Sequence, residues 1–216
     1  MVDFVKIREV PWKNMGKHFD SLPVTSEDIV NQSDLNWEVG AAKMFTELHQ
    51  SVPYYHAIYR TDTHDILGVA NYCNPQLIQN ARTFNMIEPL AGNKIDIETA
   101  GSFNGGKDVF GCFKVRDSFK ILDDDIQPYF LVYNDHLKVD GKVTVLFTPI
   151  RVVCQNTLTA ALGQTTMKFR VWVSDDDYTN QEIARSIFDN MTVAHDRLTG
   201  RMEYFASKQI DKITVE

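Results

Sequence analysis

Five segments between residues 94 and 173 constrain this chain more than any other feature: KIDIETA, KDVFGCFKV, PYFLVYN, KVTVLFTPI and MKFRVWV. Each is rich in β-branched or aromatic residues and is bounded by turn residues, the pattern of strands on a pleated, partly buried surface. The link between the first two contains Asn104-Gly105. That dipeptide favours a tight hairpin, because both central residues must adopt positive φ. Residues 94 to 116 therefore read as a β-hairpin with a glycine-rich tip, with Lys107 and Asp108 on its outgoing rim.

The same tip, GSFNGGKD (101–108), nearly satisfies the phosphate-loop spacing G-x-x-x-x-G-K-[ST], but Asp108 stands where a magnesium-binding hydroxyl is needed. A phosphate loop also feeds a helix whose N-terminal amides grip the anion. Here the following residues, DVFGCFKV, are strand-like. The stretch is a turn and not a nucleotide cradle, and no cofactor is expected.

Other elements follow from local chemistry. Thr25 and Asp28 in TSEDIV form a capping box for a short helix. YYHAIYRT (54–61) and DILGVANY (65–72) read as strands around the turn Asp62-Thr63-His64. Asn74-Pro75 is read as opening a helix with Leu77, Ile78, Ala81 and Phe84 on one face. In MKFRVWV, Met167, Phe169, Val171 and Val173 alternate with Lys168, Arg170 and Trp172. NTLTAALG reads as a short helix capped by Asn156 or Thr157 and closed by Gly163. From about Tyr178 the period changes. Ile183, Ile187, Met191, Ala194, Leu198, Met202 and Phe205 recur every three or four residues, which predicts one long helix. The expected fold is α+β: a mainly antiparallel, twisted sheet with helices on one face, and a long C-terminal helix. Residues 1–175 form the core domain. Residues 176–216 are the helical tail, packed on the core or on a neighbouring chain.

The longest apolar runs are only a few residues, which excludes a membrane-spanning helix, and no secretory signal is read at the N-terminus. Cys73, Cys112 and Cys154 are widely spaced without a C-x-x-C pair, which suits a reducing cytoplasm. A net charge of −7 excludes a protein coated in positive charge while leaving room for a local basic groove.

Read in order, PWKNMG (11–16), LNWEV (35–39), YRTDTHDILGVANYCNPQLIQN (59–80), ETAGSFNGGKDVF (98–110), PYFLVYNDH (128–136) and TPIRVVCQNTL (148–158) form a set. Together they resemble the phage/plasmid-like protein family catalogued as a domain of unknown function, number nine-three-two, over roughly residues 8 to 165. The resemblance implies a gene carried by phages, prophages or plasmids, and hence the host bacterial cytoplasm. It supplies no reaction.

Candidate chemistry is sparse. Cys154 in RVVCQNTL is the one candidate nucleophile, since a helix start can stabilise a thiolate. As a residue in an apolar run it is read first as core, ahead of the nucleophile. His136 and His64 are the bases that the fold could bring to it. Asp123–Asp125 and Asp175–Asp177 read as solvated turns, with Asp176 or Asp177 near a helix N-terminus. The six histidines show no metal-ligand spacing. One stretch, KDVFGCFKVRDSFK, interleaves Lys107, Lys114, Arg116 and Lys120 with Phe110, Phe113 and Phe119. Cationic grooves with stacking rings bind single-stranded nucleic acid, although a strand with its aromatics in the core gives the same pattern.

Two expectations result. One is a non-enzymatic homo-oligomer, assembled through the C-terminal helix, that handles single strands in replication or recombination. Its contacts would be Lys107, Phe113, Lys114, Arg116 and Lys120, with Arg60 and Arg151 behind them. The other is an enzyme or small-molecule binder built on Arg151, Cys154, Asn156 and Asp62. A structural or virion component is a third class.

Overall fold

The structure is a computed structural model that describes residues 3–6, 17–18, 25–91, 93–116, 119–121, 124–164 and 167–207. Its centre is a sheet of seven strands: β1 (Asp3–Lys6), β2 (Lys17–His18), β6 (Ile95–Phe103), β7 (Asp108–Val115), β10 (Tyr129–Asp135), β11 (Lys142–Thr148) and β12 (Lys168–Trp172). Their spatial order is β12-β11-β10-β7-β6-β1-β2. All neighbours are antiparallel except β1 and β2. A second sheet contains β3 (Val39–Phe45), β4 (Ser51–Arg60) and β5 (Ile66–Asn71). Strands β8 (Phe119–Ile121) and β9 (Asp124–Ile126) form a small ribbon.

The hairpin forms as its sequence demands. Ser102 faces Val109 and Phe103 faces Asp108, so β6 and β7 are paired up to the tip. Asn104 and Gly105 both take positive φ, 53° and 70°. Gly106 follows at 105°, and a Cβ there would lie 3.0 Å from the Trp37 ring, so this position needs glycine twice over. Asp108 is not a rim residue. It is 5% exposed, accepts a 2.6 Å hydrogen bond from the Tyr133 hydroxyl, and also accepts from the Asn104 amide. Burial of a carboxylate requires such partners.

The helices partly match expectation. In α1 (Ser26–Gln32) the Thr25–Asp28 capping box is present. Helix α2 spans only Asn80–Asn85, so the helix expected from Asn74-Pro75 starts later. The reason is competition for backbone. The Gln76 amide donates to the Val139 carbonyl and the Gln76 carbonyl accepts from Gly141, which holds this stretch against the β10–β11 connection. Helix α3 covers Gln155–Gln164.

Helix α4 covers Asp177–Ser207, with Asp176 accepting from the Thr179 amide at its start. Among its described side chains, Asn180, Ala184, Phe188 and Met191 are buried, while Ile183 and Ile187 are half-buried. The buried stripe is thus centred one residue later than the periodicity suggested. The anchor is Phe188, 5.9 Å from Phe130 and 5.5 Å from Phe147 between ring centroids. The first turns of α4 therefore pack on their own sheet. The side chains of Ala194, Leu198, Met202 and Phe205 lie outside the described residues.

Strand β12 is an outermost strand, so its alternation is only partly used: Val171 is buried but Phe169 is 46% exposed. Strand β7 lies between β6 and β10 and is buried on both faces except at Lys114. Two-sided burial of a central strand makes the in/out alternation disappear.

Candidate functional site

Several of the segments that carry the resemblance meet at the tip of the β6–β7 hairpin. Trp37, from LNWEV, lies beneath it. The Arg60 guanidinium sits 4.4 Å over the Trp37 ring, His136 meets the same ring edge-on at 5.6 Å, and Gly106 closes against it. The Trp37 indole Nε1 is buried without a hydrogen-bond partner. Arg60 donates from Nε and Nη2 to Asp62 at 3.0 and 2.7 Å. Those hydrogen bonds hold the Asp62 carboxyl below the ordinary range. Lys107 extends from the same tip, its Nζ 3.9 Å from Asp108.

The floor of this site is a closed polar network. His136 is 3% exposed, and its Nε2 is 3.0 Å from the Asn80 amide oxygen. Asn80 in turn donates to the carbonyls of Leu35 and Trp37, which fixes the entry into the second sheet. Asn134 donates to the Ile78 carbonyl and to the Thr83 hydroxyl. Burial pushes the His136 pKa down from 6.5 to about 4, so the ring is neutral near neutral pH. Burial, and then the bond to Asp108, push the Tyr133 phenol up. These groups are hydrogen-bonded to one another and are fit to hold the tip rigid. Among the described residues, no group of three histidine, cysteine, aspartate or glutamate side chains is placed to hold a metal ion.

Of the basic residues singled out in the sequence, the structure brings Arg60 and Lys107 together across Gly106. Lys114, Arg116 and Arg151 have other neighbours. Lys114 is half-buried, between Asp96 on β6 and Tyr129 on β10. Arg116 makes two hydrogen bonds to Asp96, 3.1 and 2.8 Å, which raise its pKa. Lys120 lies on β8, where the side chains are outside the described residues. Phe113 is 1% exposed and Phe110 is fully buried, so neither ring is available to a base. That corrects the expected stacking role of Phe113: a central strand leaves no solvent face.

The second constellation also separates. Arg151 pairs with Glu98, the extra residue at the β6 bulge, while Asp62 stays with Arg60 at the hairpin tip. Cys154 is half-buried and opens α3, its carbonyl accepting from the Leu158 amide at 3.0 Å. The Thr157 hydroxyl accepts from the Val153 and Cys154 amides. Burial alone would raise the Cys154 thiol, but hydrogen bonds from Thr157 and the Asn156 amide bring it below its usual value. The sealed core thiol is Cys112 instead, pushed up to about 12 by burial. Neither histidine considered as its base is seen to engage Cys154: His136 bonds Asn80, and His64 lies parallel to Tyr59.

Sequence reasoning missed Trp37, Asn80 and Tyr133 as parts of one site. The signal was present only as proximity of polar residues to strand ends, as in NDH at the end of β10.

Searches of the curated proteins and of the solved structures each find no match. A family model described as Domain of unknown function (DUF932) matches residues 74–216. The match begins later than the segments that carry the resemblance and runs further, taking in α4. It includes Lys107, Asp108, Tyr133, His136, Arg151 and Cys154, whereas Trp37 and Arg60 precede it. With well over half its length matched, the chain belongs to the DUF932 family.

Proposed function

We propose that this is a non-enzymatic protein of a phage, prophage or plasmid that binds single-stranded nucleic acid as a homo-oligomer in the bacterial cytoplasm, during replication or recombination. The observation that carries the reading is the convergence of Arg60 and Lys107 on the glycine tip, with Trp37 fixing the arginine from below. A rigid turn flanked by two cations suits a phosphodiester backbone, because charge contacts need no base identity. Val193 and Tyr204, 48% and 57% exposed on α4, supply apolar surface for self-association. The test is retention of a short oligothymidine across a salt series. Binding should weaken steeply with salt, and Lys107→Glu should lower affinity about tenfold. Absence of retention at low salt ends the reading.

A second reading, a small-molecule or enzymatic site at Arg151, Cys154 and Asn156, is supported by the position of Cys154 at the start of α3. It expects Cys154 to react with iodoacetamide near neutral pH faster than a free thiol does. Protection of Cys154 in the native protein removes it.

A further inference from the structure

We propose that Trp172 is the base-stacking platform of this protein, with Lys142 and Arg170 as its cationic border. The inference rests on the single-strand reading and names the surface that would contact the bases. The β11–β12 register sets Lys142 opposite Trp172, Thr144 opposite Arg170 and Leu146 opposite Lys168. Lys168, Arg170 and Trp172 therefore project from one face of the outermost strand, two residues apart.

Three cation–ring pairs occur among the described residues, and their rings differ in access. Trp37 under Arg60 and Phe188 under Lys94 are 5% and 4% exposed, whereas Trp172, with the Lys142 ammonium 5.0 Å from its centroid, is 53% exposed. The indole is held in place from behind. Gly141 has φ of 71°, and a Cβ on it would meet the Trp172 ring at 2.6 Å and the Gln76 side-chain oxygen at 2.5 Å. An aromatic ring already braced against backbone loses little freedom when a base stacks on it.

The charges around it face outward. Arg170 pairs with Asp140 at 2.7 Å, and the side chains are 39% and 23% exposed respectively. Lys138 is 51% exposed over Asp135 at 14%, and Lys107 is 31% exposed over Asp108 at 7%. In each pair the cation lies outside its carboxylate. These groups also share one end of the sheet. Lys107 immediately precedes β7, Asp135 at the end of β10 faces Asp108, and β11 begins at Lys142 opposite the last residue of β12. Three strand spacings separate β7 from β12, about 14 Å. A short single strand can therefore touch Lys107 at the tip and place an unpaired base on Trp172. A duplex offers no free base face to such a ring.

The test follows intrinsic tryptophan fluorescence during oligothymidine titration at low salt, with circular dichroism as a check on folding. Wild type should be quenched on binding. Trp172→Leu should lose most of the quench and bind about tenfold more weakly, while Trp172→Phe should keep most of the affinity. Lys142→Ala and Arg170→Ala should each flatten the salt dependence by about one counterion. If wild type binds with steep salt dependence but Trp172→Leu keeps both affinity and quench, this inference falls and the tip reading stands. If wild type binds no single strand, both fall. Equal affinity for duplex of the same length overturns the stacking role.

Discussion

His136 couples proton binding to folding because its imidazole is buried among Trp37, Asn80 and Asn134. Its pKa is lowered from 6.5 to about 4 in the fold, so between those values the unfolded chain binds the proton that the folded chain refuses. Stability is then complete above pH 6.5 and falls as pH drops toward 4, by up to about 3 kcal/mol. Urea unfolding at pH 7 and pH 4 should show that loss. His136→Gln should show a smaller one, and identical pH slopes for the two proteins would rule out His136 as the cause. At this scale the sequence was a poor guide. Phe113 reads as either a stacking ring or a core ring from its neighbours alone, and Cys154 reads as a core thiol, whereas the structure seals Phe113 and leaves Cys154 half-buried. Their roles depend on where β7 sits in the sheet and where α3 begins, and neither is a property of neighbouring residues.

Elements were more legible where a local rule dominates. Asn104-Gly105 predicts its hairpin because backbone sterics alone select the turn. The Thr25–Asp28 box and the presence of a long C-terminal helix were likewise legible from local rules, although the buried stripe of α4 is centred one residue later than its period suggests. Strand β3, VGAAKMF, was missed because glycine and alanine carry little strand preference, and its pairing to β4 makes it a strand. Helix α2 is shorter than its sequence suggests because a contact remote in sequence, Gln76 with Val139 and Gly141, claims its first residues. The hairpin carries its own prediction. Gly106→Ala would force a side chain into positive φ and against Trp37, at a cost of about 1–3 kcal/mol. Gly105→Ala meets no neighbour within 4 Å and should pay only for its φ of 70°. A larger loss of urea stability at position 105 than at 106 would contradict the close packing of the tip.

At the scale of the molecule, an acidic chain of net charge −7 separates its charges by depth as well as by sequence. At one end of the large sheet the carboxylates lie inside and the ammonium and guanidinium groups outside. Net charge alone could not reveal that arrangement. Neither could it reveal that β3, β4 and β5 form a separate sheet, joined to the large one through Asn80, Trp37 and the packing of Leu137 on Gly68.

The position of β12 has a consequence for crowded solutions. Its backbone forms one border of the sheet, and the exposed residues along it include Lys168 and Arg170. Two molecules that met flank to flank would set like charges side by side at strand spacing, so lateral growth into fibrils is opposed at that border. The same side chains that would attract a polyanion oppose growth of the sheet from one molecule into the next at that strand.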